Sequence, residues 1–366
     1  MGLKCGIVGL PNVGKSTLFN CLSNAQALSA NYPFATIDPN IGIVNVPDER
    51  MTKLAELVNP KRVVPTTVEI VDIAGLVKGA SKGEGLGNKF LSDIRDTDAI
   101  VHVVRCFDND NIIHVSGSVD PVRDKEIIDF ELQLKDLESV EKRLDKYKKQ
   151  SKGGASKETK KGLEVLTEIK DHLEQGKSVR SADLEDHEWQ YIEELNLLTA
   201  KPVLYVCNVD DEAVVDGNAH TRALSEAVAG EYAEVLIVSA AAEAEISQME
   251  SVEERLEFLE MMGLEAPGIN KLINACYKLL KLITYFTAGE KEVRAWTITE
   301  GTKAPGAAGV IHTDFEKGFI RAEVIKYAAY IEHKSESAVK AAGKMSVEGK
   351  EYVVADGDVM HFRFNV

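Results

Sequence analysis

Short apolar runs of strand length recur in the first 106 residues of the chain and again between residues 200 and 240. Apolar runs of four to eight residues bounded by turn signals predict buried strands, and apolar residues three or four apart predict helices. Polar or glycine-rich residues follow most of these runs. Strands that alternate with helices and carry polar groups at their carboxyl ends predict a mostly parallel α/β sheet with a site along one edge. The predicted strands are residues 3–8, 41–46, 67–73, 99–106, 202–207 and 235–238.

The middle of the chain has a helical pattern instead. Apolar residues at steps of three and four predict one helix over 124–150, and a second is predicted over 157–175 after a turn that contains Gly and Ser. We expect a helical hairpin inserted into the sheet domain. Its basic tip favours contact with a phosphate backbone, and a solvated charged face is the alternative. The basic residues are Lys142, Arg143, Lys146, Lys148, Lys149, Lys152, Lys157, Lys160 and Lys161.

The last part of the chain is richer in strands. Helices are predicted over 251–262 and 268–283, and beyond about residue 282 short strands dominate and helices are sparse. The expected strands are residues 292–299, 309–311, 318–324, 351–355 and 359–364. The predicted organisation is a discontinuous sheet domain (1–120 and 200–281), the inserted hairpin (121–199) and a small mixed domain (282–366).

Length and composition agree with this organisation. A chain of 366 residues is too long for one ordinary core, and its hydrophobic content of 44% is ample for burial. The net charge of −16 argues against a surface that is basic throughout, so contact with nucleic acid must be local. The five cysteines form no Cys-x-x-Cys pair, and no run of residues is apolar enough for a membrane span. We expect reduced thiols, a cytoplasmic location, no membrane contact and a monomer.

The first chemical motif directly follows the first predicted strand. Residues 9–16 read Gly-Leu-Pro-Asn-Val-Gly-Lys-Ser, the spacing of a phosphate-binding P-loop. Lys15 would reach the β and γ phosphate oxygens and Ser16 would ligate Mg²⁺. A glycine-rich turn that binds nothing is the alternative, but the helix predicted over 16–28 adds a dipole that favours anions. The expected nucleotide contacts here are Asn12, Val13, Gly14, Lys15, Ser16 and Thr17.

A second motif, Asp-x-x-Gly, begins at the end of the strand predicted over 67–73. Asp72 would hold the magnesium shell, the amide of Gly75 would sense the γ-phosphate, and Thr36 is a second candidate magnesium ligand. The segment 78–88 that follows contains four glycines. It is interpreted as a switch loop ordered by the γ-phosphate, and a flexible linker is the alternative.

Polar residues also follow the last two predicted strands of the sheet domain. The sequence Asn-Val-Asp-Asp begins at position 208, and Ser-Ala begins at position 239. Because the carboxyl ends of parallel strands meet at one edge, these residues are expected to complete the nucleotide site. The expected contacts are Asn208, Val209, Asp211, Ser239 and Ala240.

Together with the motif His-Thr-Asp-Phe-Glu-Lys-Gly-Phe-Ile-Arg-Ala at 312–322 and Asp-Gly-Asp-Val at 356–359, these features resemble the Obg-like ATPases, the YchF family. The resemblance covers essentially the whole chain. It implies a P-loop NTPase with a Ras-like G domain, an inserted α-helical coiled-coil hairpin and a C-terminal β-grasp TGS domain. It also implies a switch of the translation-factor class that binds ribosomes and prefers ATP to GTP.

The site departs from the Ras-like pattern at the residue that orients water and in the base motif. Leu76 stands where Ras-like enzymes place the glutamine that orients the attacking water, and leucine cannot do so. His114 matches the histidine thought to serve this role in the family, so His114 and Lys15 are the expected catalytic residues; a structural histidine is the alternative. In the base motif, Val209 replaces the Lys of the GTPase sequence Asn-Lys-x-Asp, as in the family, but the fourth residue is Asp211, as in GTPases, whereas the family carries Glu there. ATP is still expected, because the resemblance over the whole chain outweighs this one residue, and GTP is the alternative.

The resemblance also bears on cofactors and partners. Mg²⁺ is the expected cofactor, and Asn12 could hold a K⁺ ion, as in some related NTPases, or only stabilise the turn after Pro11. The expected partner is the ribosome, as its large subunit or as 70S, with RNA contacted by the hairpin tip and the TGS domain. Two other functions stay open from the residues: a small-molecule kinase, and a nucleotide-dependent binding protein with negligible turnover.

Overall fold

The computed structural model describes residues 3–29, 40–73, 86–151 and 156–365. The sequence-based predictions that lie outside the described residues concern Thr36, Gly75, Leu76, Lys152 and the segment 78–85.

The chain forms two compact units. One consists of residues 1–42 and 69–272, and the other of residues 43–68 and 273–366. The strands are β1 (Lys4–Val8), β2 (Ile41–Asn45), β3 (Val63–Val64), β4 (Thr67–Asp72), β5 (Ala99–Arg105), β6 (Val203–Asn208), β7 (Glu234–Val238), β8 (Leu282–Ala288), β9 (Val293–Thr299), β10 (Phe319–Lys326), β11 (Met345–Glu348) and β12 (Asp358–Phe364).

Helices cover the sheets and form the inserted hairpin. They are α1 (Lys15–Ser29), α2 (Glu49–Val58), α3 (Leu86–Arg95), α4 (Pro121–Ser151), α5 (Lys157–Glu174), α6 (Gln190–Glu193), α7 (Ala219–Val228), α8 (Ala240–Gln248), α9 (Val252–Met261), α10 (Gly268–Leu279), α11 (Ala304–Ile311), α12 (Thr313–Lys317), α13 (Tyr327–His333) and α14 (Glu336–Ala341).

The first sheet has the strand order β2-β4-β1-β5-β6-β7. β1 lies parallel to β4 and β5, and β6 lies parallel to β5 and β7. β5 and β6 are buried along their whole length, as expected for central strands covered on both faces. All six strands predicted for this sheet are confirmed, and the register Ile7↔Asp72 brings the end of β4 beside the end of β1.

The predicted helical hairpin is confirmed as α4 and α5. The Ser156 side chain caps the start of α5 by accepting a hydrogen bond from the Thr159 amide. The two helices share an apolar core with the segment that returns to the sheet, and its members are Val140, Leu144, Val165, Leu166, Ile169, Leu173, Val179, Ile192 and Leu197.

The second unit contains a mixed sheet with the strand order β11-β10-β12-β8-β9-β3. β12 runs antiparallel to β10 and parallel to β8, while β8 and β9 are antiparallel. Two apolar clusters pack against it, one including Tyr285 and Phe362 and the other including Leu54 and Phe286. The predicted strand-rich C-terminal region is therefore correct in outline.

The division into units differs from the predicted domains. Residues 43–68, which were assigned to the sheet domain, group with the C-terminal residues. The reason is packing: Leu54 on α2 is fully buried against Phe286 and Val293, and β3 pairs with β9. The second unit also includes residues 273–281, which contain the end of α10.

Two predicted strands of the C-terminal region are wrong, and one predicted helix is too long. Residues 309–311 end α11 instead of forming a strand, because an Ala-rich segment with Pro near its start buries Ala304, Ala307 and Ala308 as a helix. Residues 351–355 contribute only an isolated bridge, Lys303↔Val353. The helix expected over 268–283 stops at Leu279, and β8 begins three residues later. The sequence pattern predicted few helices beyond residue 282, whereas helices α11 to α14 all lie there.

In the described part of the chain, every helix is too short or too polar to cross a membrane. Each of the five cysteines is buried and lies outside any disulfide bond.

Candidate nucleotide-binding site

The predicted P-loop connects β1 to α1 through a tight turn. Asn12 and Gly14 have φ angles of 65° and 95°, in the left-handed region that Asn and Gly tolerate best. The Leu18 amide donates to the Gly14 carbonyl at 3.0 Å, which is the first hydrogen bond of the helix. A Cβ on Gly9 would lie 2.7 Å from the Val103 carbonyl oxygen, so this position requires glycine. The loop therefore sits against β5 at a helix N-terminus, the arrangement that binds phosphate.

Asn208, at the end of β6, ties this loop to the next strand end. Its side chain is buried; Nδ2 donates to the Val13 carbonyl at 2.9 Å, and Oδ1 accepts from the Ala240 amide at 2.9 Å. A Cβ on Gly14 would lie 2.2 Å from Nδ2, so Gly14 also makes room for this amide. Asn208 is thus a clamp between the P-loop and the start of α8, a role that its motif did not predict.

The other base-motif residues lie at the same edge. Val209 is buried, and its amide donates to the Val238 carbonyl at 3.0 Å. Asp211 is exposed, and its Oδ1 accepts from Ser239 Oγ at 2.7 Å. Ser239 Oγ also accepts from the Ala242 amide at 3.2 Å and so caps α8. A carboxylate at this place can accept hydrogen bonds from a base edge.

Lys15 and Asp72 form a half-buried ion pair at the mouth of the P-loop. β4 places Asp72 there, because it is paired with β1. Ser16 and Thr17 are exposed in the first turn of α1. The hydroxyl of Ser16 and the carboxylate of Asp72 are oxygen donors, the ligands that Mg²⁺ prefers, so the donor set fits this ion.

The His114 side chain is engaged on both ring nitrogens. Nε2 lies 2.7 Å from Asp124 Oδ2, and Nδ1 accepts from the Ser116 amide at 3.1 Å. Since Nδ1 is an acceptor, Nε2 carries the hydrogen that is donated to Asp124. The backbone beside it does reach the P-loop, because Asn12 Nδ2 donates to the Ile113 carbonyl at 3.1 Å. In this conformation the buried imidazole faces α4, and its nitrogens are not available to a water molecule.

Arg105 was missed by the sequence interpretation. It is one of the largest fully buried side chains in the described structure, at 1% exposure. Its guanidinium donates to the carbonyl oxygens of Phe107, Asn109 and Ile112 at 2.9–3.0 Å. These residues belong to the loop that leads to His114, and Arg105 holds that loop in shape. An arginine in an apolar strand, just before a loop rich in Asn and Asp, was the available signal.

The structure thus brings most of the predicted site together at one sheet edge, while Thr36 and Gly75 lie outside the described residues. The residues that meet there are Asn12, Val13, Gly14, Lys15, Ser16, Thr17, Asp72, Asn208, Val209, Asp211, Ser239 and Ala240.

Comparison with known proteins identifies the family. Residues 282–365 match the family model YchF-GTPase_C, described as a protein of unknown function (DUF933), and residues 4–149 match the family described as 50S ribosome-binding GTPase. The chain is 56% identical to the "Ribosome-binding ATPase YchF" of Haemophilus influenzae, with all of both chains covered. The chain belongs to the YchF family. Its identity to the Bacillus subtilis YchF of the same name is also 56%, again with both chains covered in full.

Solved structures agree with the YchF assignment. The structure of the Schizosaccharomyces pombe YchF GTPase superposes with a TM-score of 0.90 at 43% identity, covering 99% of this chain and 98% of that one. A GTP-binding protein from Pyrococcus horikoshii, at 20% identity and a TM-score of 0.61, shares the fold. The predicted class, a P-loop G domain with a helical insertion and a YchF-type C-terminal domain, is confirmed.

Proposed function

We propose that this YchF protein is a P-loop nucleoside triphosphatase that hydrolyses ATP to ADP and phosphate and acts as a ribosome-associated conformational switch. The observation that carries the proposal is the P-loop at the sheet edge, with Lys15 and Asp72 at its mouth. Curated relatives covered over their whole length bear the name ribosome-binding ATPase.

A turnover assay with purified protein, with and without 70S ribosomes, tests the proposed function. Stimulation by ribosomes is expected. A phosphorylated small product would favour a kinase, and no hydrolysis would leave a binding protein.

ATP preference rests on family membership, whereas Asp211 favours the GTP alternative. A carboxylate there can accept hydrogen bonds from the N1 and N2 donors of guanine, whereas adenine has no such pair of donors. Titrations with ATP and GTP, each with Mg²⁺, should give tighter binding of ATP. Asp211→Ala should weaken GTP binding more than ATP binding, and Glu212→Ala, which removes the exposed neighbouring carboxylate, is the matched control. A clear GTP preference of the unmodified protein would overturn the choice of ATP.

We propose Mg²⁺ as the cofactor, held by Ser16 and Asp72 with Thr36 as a further ligand. When bound, it would neutralise charge on the β and γ phosphates. Removal of divalent ions with EDTA should therefore weaken nucleotide binding. A K⁺ ion at Asn12 remains a separate proposal, and equal hydrolysis rates in Na⁺ and K⁺ would exclude it.

His114 is proposed to orient the attacking water, since Leu76 cannot. This role requires the ring to leave Asp124 and the Ser116 amide when nucleotide binds. His114→Ala should lower the single-turnover rate by about 100-fold, the lower end of the effect of a positioned acid or base, with little change in nucleotide affinity. Unchanged single-turnover hydrolysis would assign His114 a structural role only.

Ribosome contact is proposed through the basic hairpin tip and the C-terminal domain. Lys146, Lys149, Lys157 and Lys160 are exposed there, while Lys142 and Lys161 pair with Glu138 and Glu188. Replacing the four exposed lysines with Gln should weaken co-sedimentation with ribosomes and reduce its salt dependence. Four exposed lysines outside the tip and the C-terminal domain (Lys53, Lys61, Lys177 and Lys271) provide the matched control set. We further infer a cytoplasmic monomer, which sedimentation of the purified protein would test.

A further inference from the structure

A cleft opens in the mixed sheet of the second unit where β12 and β8 part. The ladder between them contains one pair, Val359↔Phe286, and β8 ends at Ala288. In this register the last three residues of β12, 362–364, extend beyond the end of β8. Their other side is paired with β10, as far as Phe319↔Phe364. Within the described residues, β12 therefore has a free backbone edge on the side that faces β8.

The cleft along this edge has the size and lining of a binding site. Its volume is about 640 Å³, within the range of ligand pockets. Apolar side chains line it on both sides of the sheet, among them Trp296, Phe315 and Phe362 on one side and Ile325, Met345 and Val359 on the other. Natural proteins normally pair, cover or charge such an edge. Here the edge lies open beside an apolar groove, as it does where an extended peptide adds a strand to a sheet.

The charges that line the cleft indicate which class of ligand it binds. Its lining includes the cation Lys291, the imidazole of His361, and the carboxylates of Glu290, Glu292, Glu323 and Glu336. Glu292 and Glu323 are partly neutralised by Arg62 and Arg363, whereas Glu290 and Glu336 are exposed at the rim. RNA is disfavoured at such a lining, because its phosphates require cations. A peptide with cationic side chains is complementary to it.

We propose that this cleft binds an extended peptide segment with apolar side chains at alternate positions and Lys or Arg between them. Alternate residues of a strand point to opposite faces, so the apolar ones would pack on the side of Trp296, Phe315 and Phe362. The basic ones would meet Glu323 and Glu336, which lie on the other side together with Ile325 and Met345. The inference deepens the proposed function and rests on it for the source of the peptide: the C-terminal domain would contact basic protein of the ribosome rather than its RNA.

The binding step can be tested without ribosomes or nucleotide. The probe is the seven-residue peptide Lys-Val-Arg-Val-Lys-Val-Arg, titrated into the full-length Trp189→Phe variant so that Trp296, which lines the cleft, is the only fluorophore of its type. Saturable change of Trp296 fluorescence is expected. The acidic peptide Glu-Val-Glu-Val-Glu-Val-Glu and a version of the probe with proline in place of its second and third valines should bind at least tenfold more weakly. Equal binding of all three, or none, would overturn the proposal.

Surface variants make the test specific. Glu290→Lys with Glu336→Lys should weaken the basic peptide about three- to tenfold, as expected for two exposed charges. Glu300→Lys with Glu332→Lys, outside the cleft, should leave it unchanged. An effect of the control pair equal to that of the cleft pair would contradict a localised site.

The native occupant is then identified with a photo-crosslinker in place of Phe364, in complexes of the full chain with 70S ribosomes. Crosslinks to a basic segment of ribosomal protein support the inference. Crosslinks only to RNA or to a second copy of this chain overturn it, as does a bound complex with none. Failure of the protein to co-sediment with ribosomes refutes the ribosome-binding function and with it this source of the peptide. The peptide titration tests separately whether the cleft binds a basic extended peptide.

Discussion

At the scale of single residues, buried polar side chains fix the shape of the candidate site. Arg105 makes its hydrogen bonds to three backbone carbonyls, and no salt bridge to it is formed within the described residues. Burial of a cation without a carboxylate is costly unless its hydrogen bonds are satisfied. Arg105 ends β5 and holds the following loop, whose Ile113 carbonyl accepts a hydrogen bond from Asn12. The order that Arg105 gives to this loop beside the P-loop offsets the cost of burying its guanidinium.

Arg105→Lys should lower the free energy of unfolding by about 2 kcal/mol. The single ammonium group of lysine cannot donate to the three separate carbonyl oxygens that the guanidinium nitrogens reach. It should also accelerate amide hydrogen exchange over residues 107–113. Denaturant titration and exchange measured by mass spectrometry check both effects. The exposed Arg222→Lys is the control. Unchanged exchange in the loop would show that Arg105 is not what orders it.

His102, in the middle of β5, gives the fold a pH dependence. Burial lowers its pKa to about 4, and its ring lies 5.3 Å from that of Tyr205. The ordinary pKa of about 6.5 applies to the unfolded chain. As the pH falls below 6.5, the unfolded state takes up a proton that the folded state refuses, so the stabilisation present above that pH is progressively lost down to about pH 4.

Between pH 7.5 and pH 5 this linkage should cost about 2 kcal/mol of stability. Urea unfolding of the unmodified protein and of His102→Phe at the two pH values measures the difference. The variant should lose about 2 kcal/mol less than the unmodified protein over this range, and His187→Phe, at an exposed histidine, is the control. Parallel losses in all three proteins would remove His102 as the cause.

At the scale of elements, a buried charge network joins the base of the hairpin to the sheet. On α4, Lys125 Nζ lies 2.6 Å from Asp129 and 2.5 Å from Glu231, which follows α7. Tyr205 on β6 donates to Glu231 at 3.1 Å, and the Arg180 guanidinium lies 3.5 Å from the same carboxylate. The carboxylates raise the pKa of Lys125 and outweigh the opposing effect of burial. The network thus anchors the hairpin by paired charges rather than by apolar contact alone.

Lys125→Met should destabilise the protein by about 3 kcal/mol, the lower end of the cost of breaking a buried pair, because it leaves Asp129 and Glu231 with only the more distant Arg180 as a cation. Lys142→Met, which removes an exposed pair with Glu138 on the same helix, should change stability by less than about 1 kcal/mol. Thermal or chemical unfolding of both variants provides the comparison. Similar losses in the two would mean that the network contributes no more than a surface pair.

At the scale of the whole molecule, each unit has apolar clusters of its own, and the mixed sheet lies within the second unit. The segment 43–68 lies in sequence between the two parts of the first unit but belongs to the second unit. Each unit also contains one tryptophan, Trp189 in the first and Trp296 in the second. Unfolding of each unit can therefore be followed separately.

Leu54→Ala should lower the stability reported by Trp296, in a Trp189→Phe background, by about 2–5 kcal/mol, the cost of a large cavity in a core. Stability reported by Trp189, in a Trp296→Phe background, should change less. The exposed Lys53→Ala on the same helix is the control. A larger effect at Trp189 than at Trp296 would contradict the assignment of α2 to the second unit.

The sequence by itself determined the six strands of the first sheet, the P-loop and the hairpin. These features have local causes: apolar runs of strand length, apolar residues at helical spacing, and a phosphate loop whose residue types are fixed by backbone geometry. Asp72, Asn208 and Ser239 were predictable for a related reason, because parallel strands bring their carboxyl ends to one edge.

Only the tertiary structure decided the rest. The helix at 304–311 and the strand at 282–288 depend on what covers short apolar runs whose periodicity fits either state. The place of α2 depends on Leu54 finding a partner core distant in sequence. Likewise, the inward orientation of His114, the Asn208 clamp and the carbonyl bonds of Arg105 are set by partners that only folding brings together, and no local pattern encodes them.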